Sequence, residues 1–171
     1  KQAIVNKGLV FKFKNEIEYG KFEEKEFVYE NGIVDYVKEI GGETALTDVK
    51  YCEAERRGRD REDKPEYKVK MSFAFCFSNR ANLLEYYHNS SFLEHGGSPD
   101  KAVKSAFVFA LDKYLKNNNK YNKNEAKIQF SDIADCLVLV INSFSTSTSY
   151  ENQTKKSITN EFIYSAMNDF L

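Results

Sequence analysis

The residues best suited to chemistry stand near the carboxyl end, where Gln153, Thr154 and Lys155 separate an apolar run from a helix-like segment. A basic, polar loop joining a buried strand to a helix N-terminus is a sound place to meet an anion. The first turn's free amides and the helix dipole favour negative charge, and a lysine adds a point charge on a flexible stem. Lys155 is placed for a terminal phosphate. If the loop is extended, Gln153 projects to the same side and its amide can donate to a phosphate oxygen, while Thr154 faces its own domain. Taken alone the tripeptide is a short motif, and a solvated loop lysine is the commoner origin of such a stretch.

Other residues with chemical potential read more simply. His88 and His95 with scattered serines lack any strained nucleophile elbow, so a hydrolytic triad is not indicated. Gly96-Gly97 before Ser98-Pro99 could cradle a phosphate, but a Gly-Gly turn ahead of a capped helix needs no ligand. Arg56, Arg57, Arg59 and Arg61 alternate with acids, which suits a solvated loop better than a nucleic-acid contact. Cys52, Cys76 and Cys136 are odd in number and widely spaced, suggesting neither a disulfide framework nor a zinc site. The sequence contains no phosphate-loop motif, no paired-carboxylate metal site and no His-Glu-x-x-His helix, so no self-sufficient catalytic constellation or metal site is expected.

Positioning these residues falls to alternating strands and helices. Residues 4–14 read as a strand, and 16–30 as a hairpin turning at Tyr19-Gly20-Lys21. Ile33, Tyr36, Val37 and Ile40 recur at helical spacing, with Asn31 placed to cap and Gly41-Gly42 to stop the helix. Residues 53–64 are charged with no apolar face and read as a loop. From Tyr67 to Phe77 the alternation is strict, the clearest strand in the chain, with residues 82–89 expected as its antiparallel partner.

Ser98-Pro99 supplies a cap and first-turn proline for a long helix marked by Val103, Ala106, Phe107, Ala110, Leu111 and Tyr114. The asparagine-rich stretch 116–124 reads as a surface loop. Leu137-Val138-Leu139-Val140-Ile141 is a buried central strand, and a final helix is marked by Ile158, Phe162, Ala166, Met167 and Phe170. Strands interleaved with helices that need a sheet to cover imply an α+β two-layer sandwich.

With 171 residues the chain suits one domain, and its opening at Lys1 and apolar close at Phe170-Leu171 suggest a segment of something longer. Aromatic residues make up 15%, with 14 Phe, 11 Tyr and no Trp, which excludes a disordered chain. Twenty-five basic residues against 26 acidic give a net −1, so any nucleic-acid contact must be a local patch. No apolar run approaches the ~20 residues that span a bilayer. The cysteine usage fits a reducing compartment, and a soluble, cytoplasmic protein is expected.

In order along the chain, Ala3-Ile4-Val5-Asn6-Lys7-Gly8-Leu9, Tyr29-Glu30-Asn31-Gly32-Ile33, the alternating strand from Val69 to Phe77, the segment from Asn89 to Gly97, the apolar strand from Leu137 to Ile141 and Gln153-Thr154-Lys155 resemble landmarks of one family. It is the transducer, or second, domain of the DNA gyrase and topoisomerase IV B subunits, type IIA topoisomerases of the GHKL ATPase superfamily. The resemblance spans nearly all of residues 1–171. It implies a four-stranded sheet backed by helices with a left-handed βαβ crossover, against the usual hand.

It also implies roles. Lys155 and Gln153 would reach the γ-phosphate of ATP held, with Mg2+, mainly by an ATPase domain that precedes this segment. Thr154 would sit with them in the nucleotide-binding loop. Lys155 would stabilise charge developing on the phosphate and Gln153 would add a hydrogen bond. Hydrolysis would then drive rotation of the transducer and passage of DNA. The partners implied are DNA, the topoisomerase A subunit and a second B subunit. An acidic, magnesium-binding TOPRIM domain would follow, and this segment alone would be inactive as an ATPase. Where the family usually has Gly-Gly-Thr-His, this chain has Gly96-Gly97-Ser98-Pro99, preceded by His95 in place of an acid. The alternative reading is an α+β binding module for nucleic acid or a protein partner with no nucleotide role.

Overall fold

The computed structural model describes all residues from Lys1 to Leu171. In chain order the elements are α1 (Gln2–Val5), β1 (Phe11–Glu18), β2 (Lys21–Phe27), α2 (Ile33–Gly41), β3 (Lys50–Gly58), β4 (Tyr67–Phe77), β5 (Leu83–His88), β6 (Ser91–Phe92), β7 (Gly96–Gly97), α3 (Ser98–Asn117), α4 (Phe130–Ala134), β8 (Leu137–Ser145), β9 (Ser157–Ile158) and α5 (Glu161–Phe170). The main sheet runs β3-β4-β8-β5-β6, four long strands with the two-residue β6 at one edge. This is the α+β sheet backed by helices that the sequence implies.

The apolar run of β8 takes the centre because every residue from Leu137 to Ser143 is buried, a pattern that only a strand covered on both faces can satisfy. It pairs antiparallel with β4 and parallel with β5, and the chain crosses from β5 to β8 through α3 and α4. The alternation of β4 sorts its two faces. Tyr67, Val69, Met71 and Phe73 pack with Val103, Phe107, Ile163 and Met167 of α3 and α5. Ala74 and Cys76 pack on the other face with Ile4, Val5, Ile33 and Val37 of α1 and α2.

Several expectations need correction. Residues 53–64 are not all loop, because β3 continues to Gly58. As an edge strand with only Ala54 and Gly58 partly covered, it needs no apolar alternation and is held by its ladder to β4 and by charge pairs such as Lys68–Glu55 at 2.7 Å. Residues 82–89 are not the antiparallel partner of β4, since β8 lies between and β5 runs parallel to it. Residues 4–14 are not one strand either. Ala3, Ile4 and Val5 are buried consecutively, which two-faced alternation forbids, and they form α1; β1 starts at Phe11.

Helix caps also differ from the sequence reading. The residues that enter α2 and α3 are Gly32 and Gly97, at φ 59° and 78°, a region glycine adopts without steric cost. Asn31 instead donates from its backbone N and side-chain Nδ2 to Asp35, and Ser98 Oγ donates to the Ile158 carbonyl. Ile158 belongs to β9, so the last helix starts only at Glu161. The expected hairpin is present as β1-β2, turning at Tyr19 and Gly20. It is laced by charge pairs, including Lys14–Glu24 at 3.0 Å, and leaves Phe13, Ile17, Tyr19 and Phe22 at least half exposed.

Candidate functional site

Beyond Ser145 the chain leaves the sheet, runs out and returns as a narrow excursion with Gln153, Thr154 and Lys155 at its tip. Its two legs face each other through Thr159 N to the Ser149 carbonyl (2.9 Å), a bridge between Tyr150 and Ile158, and Glu151 N to the Ser157 carbonyl (3.0 Å). The tip closes by Lys155 N donating to the Asn152 carbonyl at 3.3 Å. Residues 151–155 are all exposed.

The tip is a turn and not an extended segment, with Lys155 at φ 56°, so strand alternation does not set where Gln153 and Lys155 point. Thr154 does not face its own domain: it is exposed, and its hydroxyl donates to Asn152 Oδ1 at 2.5 Å. Lys155 Nζ lies 5.6 Å from the centre of the Tyr150 ring, an exposed cation over an aromatic face. The structure thus brings the three residues together on one turn, with a free amide and an ammonium at its surface.

The helix N-terminus expected beside them is elsewhere and already engaged. α5 begins six residues beyond Lys155, and its first-turn amide Phe162 N donates to Asp60 Oδ1 at 2.9 Å. A carboxylate from the β3-β4 loop therefore occupies the position in which the sequence reading placed an anion. The cation of Lys155 is left to act without the helix dipole.

Asp60 is also one of three clamps that hold the excursion at its base. Asn160, 1% exposed, accepts Ser149 N at 2.7 Å and donates to Asp60 Oδ2 at 2.9 Å and Tyr67 Oη at 3.0 Å. Tyr67 in turn donates to Asp60 at 2.8 Å, and burial, with Asp60 beside it, pushes its hydroxyl pKa above the usual range. Sequence inspection missed this clamp because Asp60 lies in a run of charges that looks uniformly solvated. Asn160, which directly precedes α5, fell inside the helical pattern read from Ile158 and so gave no separate signal.

The second clamp is His88. It is 0% exposed, with Nδ1 2.8 Å from Ser143 Oγ and Nε2 2.9 Å from Thr148 Oγ1 and 3.1 Å from Ser145 Oγ. The hydroxyl protons of Ser143 and Ser145 are engaged by the Tyr87 and Ser147 carbonyls. Ser143 must therefore accept from Nδ1–H, and because burial keeps the ring neutral, Nε2 accepts from Thr148 Oγ1. Burial depresses the His88 pKa to about 4. A histidine sealed from solvent beside a serine is a structural staple here and not a nucleophile's base. Neighbouring Asn89 adds a bond from Ser145 N to its Oδ1 at 3.0 Å.

The third clamp uses Gly96-Gly97, which pair in parallel with Ser157 and Ile158. A Cβ on Gly97 would sit 2.1 Å from the Ile158 carbonyl, so these glycines admit the returning leg rather than cradle a phosphate. His95 N donates to the Lys156 carbonyl at 2.9 Å, and Lys156 pairs with Glu94, holding that carboxyl below its usual pKa. The Arg57 and Arg59 guanidinium groups pair with Glu66, and Arg61 with Asp63, in line with a neutralised loop. No group of three or more His, Cys, Asp or Glu side chains converges as a metal site would require.

Comparison with known proteins assigns the architecture. The family model for DNA gyrase B matches residues 32–171. The DNA gyrase B protein of Thermotoga maritima is 26% identical over 166 residues, which is 96% of this chain and 25% of that protein. This chain thus spans about a quarter of the length of the curated relatives it matches. Among solved structures, the B-subunit of the Myxococcus xanthus DNA gyrase superposes with a TM-score of 0.70 at 15% identity, covering 99% of this chain and 44% of that one. The 43K ATPase domain of Thermus thermophilus gyrase B, in complex with an aminocoumarin, gives 0.66 at 20% identity, covering 98% and 42%. At these identities the structural matches establish the fold.

Proposed function

The chain belongs to the DNA gyrase B family, and from that premise we propose that residues 1–171 are the transducer of an ATP-hydrolysing type II DNA topoisomerase, reading the nucleotide through Gln153, Thr154 and Lys155. The observation that carries the reading is the excursion itself. An exposed ammonium and amide stand at the tip of a turn whose base is fixed at three points, by Asp60 with Asn160, by His88 and by Gly96-Gly97. A solvated loop has no need of such anchoring, whereas a contact made across a domain boundary does. Reaction with a preorganised group avoids the cost of arranging it at the moment of use.

ATP with Mg2+, held by a preceding domain, supplies the phosphoryl bond that is broken. In this chain Lys155 brings one positive charge to the terminal phosphate, and Gln153 donates a hydrogen bond to its oxygen. Lys155 is free to do so because its only close partner is the Tyr150 ring, an interaction of about 0.5–1 kcal/mol at an exposed site. Loss of the terminal phosphate removes the partner of that charge, and the rigid excursion passes the change to β8, α3 and α5 together. The conversion is a hinge-type movement of a packed body. DNA, an A subunit and a second B subunit are the partners of this reading.

The test is Lys155→Ala in the longer protein. Transition-state stabilisation of about 3 kcal/mol predicts a roughly hundredfold fall in ATP turnover with nucleotide affinity little changed. Unchanged turnover would refute the sensing role.

A further inference from the structure

The excursion carries two ammonium groups in succession, on Lys155 and Lys156. They go to different partners. The returning leg lies between the outgoing leg, through the bridge of Tyr150 with Ile158, and β7, through Gly96 and Gly97. Lys155 Nζ rests 5.6 Å from the centre of the Tyr150 ring on the outgoing leg, whereas Lys156 Nζ pairs with the Glu94 carboxylate on the β7 side. Register brings Glu94 there. Gly96 and Gly97 pair with Ser157 and Ile158, and the pairing continues one step back, where His95 N donates to the Lys156 carbonyl at 2.9 Å. Glu94, one residue further back, stands beside the tip.

This pair does little for the fold. The side chains are 43% exposed for Lys156 and 51% for Glu94, and an ion pair in such a setting adds almost nothing to stability. Backbone bonds already hold the leg, from His95 on one side and to Glu151 on the other. What the pair changes is the charge that the tip presents. A carboxylate in contact with the Lys156 ammonium cancels its field a few ångströms away, so an approaching anion meets one positive charge instead of two.

We infer that Glu94 is a specificity-determining residue of the nucleotide contact: by withholding Lys156 it leaves Lys155 as the single cation offered to the terminal phosphate. The inference rests on the reading of Lys155 as the nucleotide sensor and supplies a source for its discrimination. One ammonium group loses its partner when the terminal phosphate leaves. Two would still be drawn to the diphosphate that remains, because unlike charges attract over distances comparable to the screening length of about 8 Å at physiological salt. A second lysine beside the first would therefore blur the difference between triphosphate and diphosphate, and the carboxylate of Glu94 preserves it.

The experiment is steady-state ATP hydrolysis by the longer protein with ADP as a product inhibitor. Glu94→Gln should bind ADP more tightly, the inhibition constant falling at least about fivefold, and the gain should fade as potassium chloride is raised. A loosened loop would weaken ADP binding or leave it alone, so a merely structural role does not produce that gain. Glu94→Ala releases Lys156 by a second route and should match Glu94→Gln. Glu94→Gln/Lys156→Gln removes both charges and should return ADP inhibition to within about twofold of the wild type, as should Glu94→Asp, which keeps the carboxylate. Glu151→Gln makes the same charge change on the outgoing leg, where the side chain is exposed and in no ion pair, and should shift the constant less than about twofold. Thermal melting checks that each variant is folded. ADP inhibition unchanged or weakened in Glu94→Gln, a gain that persists in the double variant, or an equal gain in Glu151→Gln would overturn the inference. If Lys155→Ala abolishes turnover while Glu94→Gln leaves ADP inhibition untouched, the sensing reading stands and this inference alone falls; if Lys155→Ala leaves turnover unchanged, both fall.

Discussion

Replacing His88 with Gln should remove a pH dependence of stability that this side chain alone imposes. The ring is sealed from water, its Nδ1–H is donated to Ser143, and its Nε2 accepts from Thr148, so a proton added to Nε2 would have to be accommodated without solvent. Burial lowers the folded-state pKa from the ordinary 6.5 to about 4. Above pH 6.5 the ring is neutral in both states and the clamp contributes fully. As pH falls from 6.5 towards 4 the unfolded chain takes up a proton that the folded chain refuses, and stability drops. Below about 4 both are protonated and the loss is complete. At about 1.36 kcal/mol per unit the window carries about 3 kcal/mol. Urea titrations of the wild type and of His88→Gln at intervals from about pH 7.5 to about 3.5 measure it, since subtracting the variant cancels the carboxylates that titrate in the same range. The difference between the two proteins should shrink by about 3 kcal/mol across the window. A pH-independent difference would show that His88 is not the neutral, enclosed staple inferred from its contacts.

Other outcomes follow from the same contacts. Asp60→Ala removes the acceptor of Tyr67, Asn160 and Phe162 N and should cost about 2–3 kcal/mol, a fall in Tm of roughly 5–10 °C by calorimetry, with Asp60→Asn costing less. Gly97→Ala forces a Cβ against the Ile158 carbonyl and should destabilise by more than about 2 kcal/mol, whereas Gly20→Ala, at a similar φ but with no atom within 4 Å, should cost about 1 kcal/mol; denaturation midpoints compare them. Lys155→Gly should leave the isolated chain as stable as the wild type or slightly more so, because Lys155 sits at φ 56°, and thermal melting checks that its function can be removed without unfolding.

Much of the scaffold was legible in the residues. The alternation from Tyr67 to Phe77 and the apolar run from Leu137 to Ile141 marked the two strands that carry the core, because burial on one or both faces leaves a direct pattern. The order of strands was not legible. Nothing local in residues 82–89 shows that β8, about fifty residues later, will come between β5 and β4. An edge strand such as β3 leaves no pattern because water covers most of it, and Asp60, Asn160 and His88 become clamps only through contacts at long sequence separation. The tripeptide at residues 153–155 was recognised by type and order. The supports that anchor the base of its excursion came from the fold.

The reading stands or falls on where one ammonium group goes when nucleotide is bound. A crystal structure of the longer protein with a non-hydrolysable ATP analogue should show Lys155 Nζ about 3 Å from a terminal phosphate oxygen, with residues 145–160 otherwise unchanged. The same complex with Lys155 still resting on Tyr150 or pointing into bulk solvent would contradict it.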